Sequence, residues 1–391
     1  MDRPVTGTKE SIITAVDSIG AEIASLHASE VDKNARFPIE TIDALKKAKV
    51  LSAPIASELG GANMNIIESA LLCKSLARHC SSSAMILGMH FIKVHTINHF
   101  AQGNADLQSY LTQLAEEQRL VASVTSEKGV GGNMRNSITA IKRDGERFKL
   151  TKNSSCMSYG GYADDLLITC RRTEESAASD QAIVLAIGDD FTVVQQGEWD
   201  PMGMRGTCSP PFDVHVDAET AHILHEDFAY VAARTMVPET HIIWAHIWLG
   251  IATEAAHRAR KFIQGKARKD PSKIPDEGKA LSELEINLDR FRDTVAIVSQ
   301  RYYDAHIEND DDFITSMPFS IKINGLKLNS SQLCADICMR ALTICGFAGF
   351  LNNTPFSIGR LLRDSLSAAP MVGNGRLLET NAGHLMLFKG E

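Results

Sequence analysis

Apolar positions recur at helical spacing along the first part of the chain. Ile12, Ile13, Val16, Ile19 and Ile23 form one stripe, and Ile39, Ile42, Leu45 and Val50 a second. Leu71, Leu72, Leu76, Ile86 and Leu87 continue the pattern. From about Ser11 to Leu114 this predicts helix, broken by turns at Phe37-Pro38 and at Leu59-Gly60-Gly61-Ala62-Asn63. From about Leu120 to His225 the period falls to two and β-branched residues become frequent. Phe148 to Thr151, Asp165 to Thr169, Ala182 to Ala186 and Phe191 to Val194 read as short strands, with Asp144-Gly145 as a hairpin turn. Short strands at this spacing suggest a small barrel or sandwich. Helical spacing returns at about Ala229, and predicts long helices over 236–263, 280–307 and 317–344. The basic, Pro-terminated segment Lys266 to Pro271 reads as a loop, and Asn309 to Asp312 as an acidic turn.

The order helix, sheet, helix divides the chain into a helical zone (1–119), a β zone (120–228) and a helical bundle (229–391), an α+β multidomain architecture. Without βαβ alternation, doubly wound and TIM-barrel folds are excluded. At 391 residues the chain has room for two or three domains. Apolar residues at 44% and charged residues at 23% exclude disordered, collagen-like and coiled-coil classes. Forty basic against 48 acidic residues leave a net charge of −8, with no basic run, so no nucleic-acid partner is expected. The first twenty residues lack an apolar core behind a basic start, which argues against a secretory signal. The longest uncharged stretch, Ala341 to Gly359, contains Asn352, Asn353 and Pro355 and fails as a membrane span. The eight cysteines lie mostly in apolar runs (Cys73, Cys170, Cys334, Cys338, Cys345) with no CxxC pair. They read as reduced core thiols, and the expected location is cytoplasmic.

No G-x-G-x-x-G follows a strand, and neither a P-loop nor a G-x-S-x-G elbow occurs. His90, His95 and His99 are close together but have no acidic ligand or base among them, so they read as structural and no metal site is expected. Three glycine-bearing segments remain: Ser126 to Asn133, Cys156 to Gly161 and Cys345 to Phe350. Each is by itself an ordinary turn or helix end; backbone N–H groups in such loops can also cradle an anion or the edge of a cofactor.

Their order along the chain produces a resemblance. Phe37-Pro38-x-x-x-Ile42-x-x-Leu45, then Ala53-Pro54 and Leu59-Gly60-Gly61, resemble the first helical pair and following turn of the acyl-CoA dehydrogenase family. Ser126-Glu127-Lys128-Gly129-Val130-Gly131-Gly132-Asn133 resembles its T-E-P-x-x-G-S-D loop, and Met202-Gly203-Met204-Arg205-Gly206-Thr207 its M-G-M-R-G-S turn. Gly346 to Phe350 with Arg363-Asp364 resembles the G-G-x-G-F…R-D signature, so the match runs over roughly residues 8 to 390. The resemblance implies a helical N-terminal domain, a middle β-barrel domain and a C-terminal four-helix bundle, with FAD between them in a homo-oligomer, dimer or tetramer. Carried over residue by residue, Ser126 and Ser158 take the place of threonines that bond the flavin, and Cys156 that of a tryptophan packed on it. Gly132 replaces a serine of the loop. Thr343, Gly346 and Gly349 match the stretch that meets the adenosine–pyrophosphate half across a dimer interface, and Gly373-Asn374 the pair after the catalytic glutamate.

Two departures follow from the same alignment. The usual glutamate position holds Val372, and the alternative position holds Thr240, followed by His241; neither is a carboxylate. The pyrophosphate-binding Arg-x-x-x-Phe-Gly is replaced by Lys266-Ala267-Arg268-Lys269-Asp270-Pro271, which keeps a cation without its geometry. The implied activity is FAD-dependent oxidation of an acyl thioester of CoA or a carrier protein, with hydride transfer to flavin N5. His241 is then the candidate base, with Glu239 and Glu379 behind it. The alternative is a monooxygenase or oxidase on the same fold, using O2, which needs no carboxylate at either position.

Overall fold

A computed structural model describes residues 7–131 and 133–389. The N-terminal part is helical, as the periodicity predicts. Helix α1 (Lys9–Ile19) runs through a π turn, Gly20–Ala24, into α2 (Ser25–Asn34). It is followed by α3 (Ile39–Lys47), α4 (Ile66–Ala77), α5 (Ser81–Phe100) and α6 (Ala105–Glu117). Helix α4 opens on a reciprocal cap: Asn65 Oδ1 accepts from the N–H groups of Ile67 and Glu68, and Glu68 accepts from Asn65 N–H at 2.8 Å. Helix α5 is buried nearly all round, which its run of small and apolar residues permits. Its His90 is structural, as expected. Nδ1 accepts from Val121 N–H at 3.1 Å, so Nε2 carries the proton and donates to Leu51 O at 2.8 Å.

The β zone contains β1 (Val121–Val124), β2 (Lys142–Asp144), β3 (Arg147–Ser154), β4 (Asp165–Arg171), β5 (Gln181–Ile187), β6 (Phe191–Gln195) and β7 (Phe212–Glu219). The Asp144-Gly145 turn closes the β2–β3 hairpin, with Asp144 opposite Arg147 and Gly145 at φ 62°. The sheets are ordered β1-β4-β5 and β2-β3-β7-β6. The expected barrel does not close. Among the described residues no ladder joins an edge of one sheet to an edge of the other, and the single bridges Ala140 to Arg171 and Val184 to Ile223 run from the three-stranded sheet to residues outside the strands. The described residues between β1 and β2 add no further strand to either sheet, and only Ala140 among them pairs, as a single bridge to Arg171.

The C-terminal part contains α7 (Phe228–Val231), a π turn at Ala232–Met236, α8 (Val237–Lys269), α9 (Gly278–Ile307), α10 (Asp311–Ile314), α11 (Met317–Cys345), α12 (Phe347–Phe350), α13 (Gly359–Leu366) and α14 (Asn374–Leu387). The segment expected to be a loop from Lys266 is helical through Lys269. Lys266, Arg268 and Lys269 complement the negative end of the helix dipole, and the helix stops just before Pro271. Helix α8 lies at the centre, packed on α4, α5, α9 and α11. Gly250 allows the α4 contact, because a Cβ there would lie 2.4 Å from Lys74 O. No helix of the described residues is long and apolar enough to cross a membrane.

Candidate active site

Two of the three glycine-bearing segments meet. The Ser126 hydroxyl donates to Cys156 O at 2.6 Å and accepts from Cys156 N–H at 3.1 Å, so it joins the loop after β1 to the turn after β3. The turn itself is held from the far side: Met157 N–H donates to Pro210 O, and Tyr159 N–H to Thr207 O. Tyr159 takes a left-handed φ of 44°, and its hydroxyl donates to Val121 O at 2.9 Å. Ser158 is left at the apex. Its Oγ accepts from Ser209 Oγ at 2.8 Å, while its own hydroxyl proton and its N–H have no partner among the described residues. These are two unspent donors on a rigid turn. The Cys156 thiol beside them is exposed.

Glu127, next to Ser126, fixes the loop. Its buried carboxylate accepts from Ser137 Oγ, Ile138 N–H, Thr139 N–H and Thr139 Oγ1, and Lys152 Nζ lies 3.7 Å away in the core. Burial pushes the carboxyl up, but those donors and the ammonium outweigh it and hold it below the usual range. Two further motifs, distant in sequence, bind one another. Met204 N–H donates to buried Asp364 at 2.7 Å, and Arg363 spans both oxygens of Asp32 and reaches Met202 O. Gly203 is required there, since a Cβ would fall 2.1 Å from Arg363 O.

Residues 6–118 match the acyl-CoA dehydrogenase N-terminal domain family. The short-chain-specific acyl-CoA dehydrogenase of Clostridium acetobutylicum is 22% identical over 371 residues, 93% of this chain and 94% of that protein. Over its whole length the chain is thus similar to the acyl-CoA dehydrogenase family, and its first part matches that family's N-terminal domain. Butyryl-CoA dehydrogenase from Megasphaera elsdenii superposes with a TM-score of 0.77 at 18% identity, covering 99% of this chain and 100% of that one. Dibenzothiophene monooxygenase (TdsC) from Paenibacillus sp. A11-2 does so with 0.78 at 16%, covering 97% and 96%. At such identities both likenesses are ones of fold.

The positions aligned with the family's base carry no carboxylate in space either. Val372 is half-buried and has a left-handed φ of 46°, an outlier for a β-branched residue. It is held by Lys327, whose buried Nζ reaches Val372 O at 3.2 Å and Asn374 Oδ1 at 2.6 Å. Burial pushes that ammonium down to about 8. The Thr240 hydroxyl donates to Met236 O within its own helix. His241 is buried between α8 and α11, where Nδ1 meets Ile323 O at 3.1 Å and burial lowers the imidazole to about 4. Glu239 faces α9, with its Oε1 3.0 Å from the Tyr302 hydroxyl, and Glu379 is exposed.

The remaining candidates lie apart from the Ser126–Ser158 pair. Thr343 and Gly346 are exposed at the end of α11, Gly349 is buried in α12, and no hydrogen bond among the described residues links them to that pair. Asn374 is occupied by Lys327 and Ser331. Lys266, in the altered arginine segment, is paired with Glu277 at 2.5 Å. Gly132 lies outside the described residues. The sequence reading missed Ser209 and Lys327. Ser209 had a weak signal in its place two residues after the Met202–Thr207 turn, and Lys327 had none, since it is an ordinary lysine within a helical pattern.

Proposed function

We propose that the chain is a flavin-dependent oxidoreductase that acts on a small molecule and uses O2, as an oxygenase or oxidase. The supporting observation is the lack of a placed base. Val372 and Thr240 are not carboxylates, Glu239 faces α9, and His241 is a neutral imidazole tied to Ile323 O. Removing a proton next to a thioester carbonyl calls for such a base, a contribution of roughly 10²–10⁴ in rate. The donor set fits a flavin: the free O–H and N–H of Ser158 suit the acceptor edge of the ring near N5, and Ser209 fixes the Ser158 rotamer. Because the Ser126 hydroxyl is spent on Cys156, Ser126 is assigned a contact through its N–H. A bound flavin supplies electron acceptance and, once reduced, reaction with oxygen. FAD is the proposed form. Thr343, Gly346 and Gly349 of a second copy would hold its adenosine half, and a homo-oligomer agrees with the exposed Phe347 and Phe350 beside those glycines. The second reading, dehydrogenation of an acyl thioester, is favoured by the 22% match to a short-chain acyl-CoA dehydrogenase along 93% of the chain; His241, Glu239 or Glu379 would then have to serve as base.

Anaerobic mixing of the flavin-loaded protein with a series of acyl-CoA thioesters separates the two. Flavin bleaching with an enoyl thioester product establishes the dehydrogenase reading and overturns the first. No anaerobic product, with isotopically labelled O2 entering an amine, phenol or sulfur heterocycle once reductant is supplied, is the result expected.

A further inference from the structure

A second cleft, of about 640 Å3, opens between the turns around α4, helix α5, the start of α8 and the end of α9. It shares no lining residue with the Ser126–Ser158 turn, and its size is that of a ligand site. Glu239 and His306 both line it.

Glu239 is 2% exposed, and its Oε2 is buried with no hydrogen-bond partner among the described residues. The proton inventory around it is constrained. Pro238 has no N–H to offer the Arg234 carbonyl four residues back, and the Tyr302 hydroxyl approaches that carbonyl at 3.1 Å and Glu239 Oε1 at 3.0 Å. One phenolic proton serves only one of these acceptors. If it goes to Arg234 O, Oε1 must carry a proton of its own to meet the phenol oxygen, and Oε2 becomes a bare carbonyl acceptor. Burial, opposed by the Tyr302 hydrogen bond and the Arg234 charge, raises this carboxyl to about 8, in agreement with a protonated group. His306 is fixed as well. Arg234 Nη1 donates to its Nδ1 at 2.9 Å, which leaves the ring proton on Nε2 as a donor.

Inside the cleft the charges are already matched, and only Glu58, at the solvent-facing rim, has no ion-pair partner among the described residues. Arg234 is ion-paired with Asp311, which also accepts from Tyr230, and Lys9 at the rim is paired with Glu68 at 2.7 Å. His95, His99 and His306 are all held neutral by burial. Glu58, at the rim, is exposed. A charged ligand of either sign would lose its hydration without gaining a counter-charge inside.

We propose that this cleft binds a small, uncharged, polyhydroxylated molecule, one hydroxyl of which donates to Glu239 Oε2 while another accepts from His306 Nε2. The test is calorimetric titration of the full chain with glucose, sorbitol and myo-inositol, set against glucosamine and gluconate. The neutral probes should bind the wild type and Glu239→Gln within about threefold of one another, because a glutamine amide can donate to Tyr302 and keep a carbonyl for the ligand. Glu239→Leu should bind them at least tenfold more weakly. No binding of any neutral probe, unchanged binding to Glu239→Leu, or tighter binding of a charged probe would overturn the proposal. If Glu239→Leu does not fold, the carbonyl stretch of the protonated Glu239, assigned by infrared difference against Glu239→Gln, decides. A shift on adding sorbitol supports the contact, and an unmoved band removes it.

Discussion

Ser158 and Glu127 show how single side chains set this site. Ser158 accepts its bond from Ser209 and so has a proton left to give; Ser126, its counterpart in the sequence reading, has spent its own on Cys156. Ser158→Val should therefore weaken flavin binding roughly fivefold, about 1 kcal/mol for one lost hydrogen bond, while Ser158→Thr should not. Fluorescence titration of the apoprotein with FAD reads both. Glu127 has a different task, since its carboxylate is the counter-charge to buried Lys152. Glu127→Gln should lower unfolding stability by about 3 kcal/mol at pH 7, by leaving a buried ammonium alone. Because the folded carboxyl lies below its ordinary value, this stabilisation is present above about pH 4.5 and fades as pH falls through the folded value. Urea unfolding of the two proteins should converge at acid pH; a gap that does not change with pH would show that the charge is not the cause.

At the scale of elements, helix α8 illustrates what periodicity can and cannot supply. Its apolar spacing predicted a helix, but not that it would pack on α4, α5, α9, α11 and α13, nor that it would run through a basic segment to Lys269. Charge and a proline make the segment read as a loop, yet Lys, Arg and Ala are all good helix formers and basic residues suit a C-terminus. The close approach of α4 hangs on Gly250, whose missing Cβ leaves room for the Lys74 carbonyl. Gly250→Ala gains helix propensity and loses that fit, and a backbone neighbour cannot swing aside. We expect a net loss of about 2 kcal/mol in urea unfolding; a stabilised variant would mean the helices separate easily. The β zone shows the same limit, because strand periodicity located β3, β4, β5 and β6 but neither β1 nor β7, and could not say whether two sheet edges would join.

Across the whole molecule, the junction of Asp32, the Met202–Thr207 turn and Arg363-Asp364 ties the first helices, the sheets and the last helices into one body. Two motifs noticed separately in the sequence are two halves of this contact. Arg363→Leu should remove about 2 kcal/mol of charge-assisted bonding. Calorimetry should then show a lower or split unfolding transition together with weaker flavin retention, since the turn also leads into Ser209. A single unshifted transition would show that the three parts hold together without it.

The sequence by itself determined the three-zone order, the long helices, four of the strands and the resemblance to a family, because these rest on period, turn chemistry and motif order, all of which are local. It also exposed the missing base, a matter of residue identity at two positions. Only the tertiary structure decided which hydroxyls are spent and which are free, why Lys327 is buried beneath Val372, and that Glu239 looks into a cleft of its own. Those outcomes depend on what each polar group meets across tens or hundreds of residues. A hydrogen bond is settled by its partner, and the partner is chosen by packing.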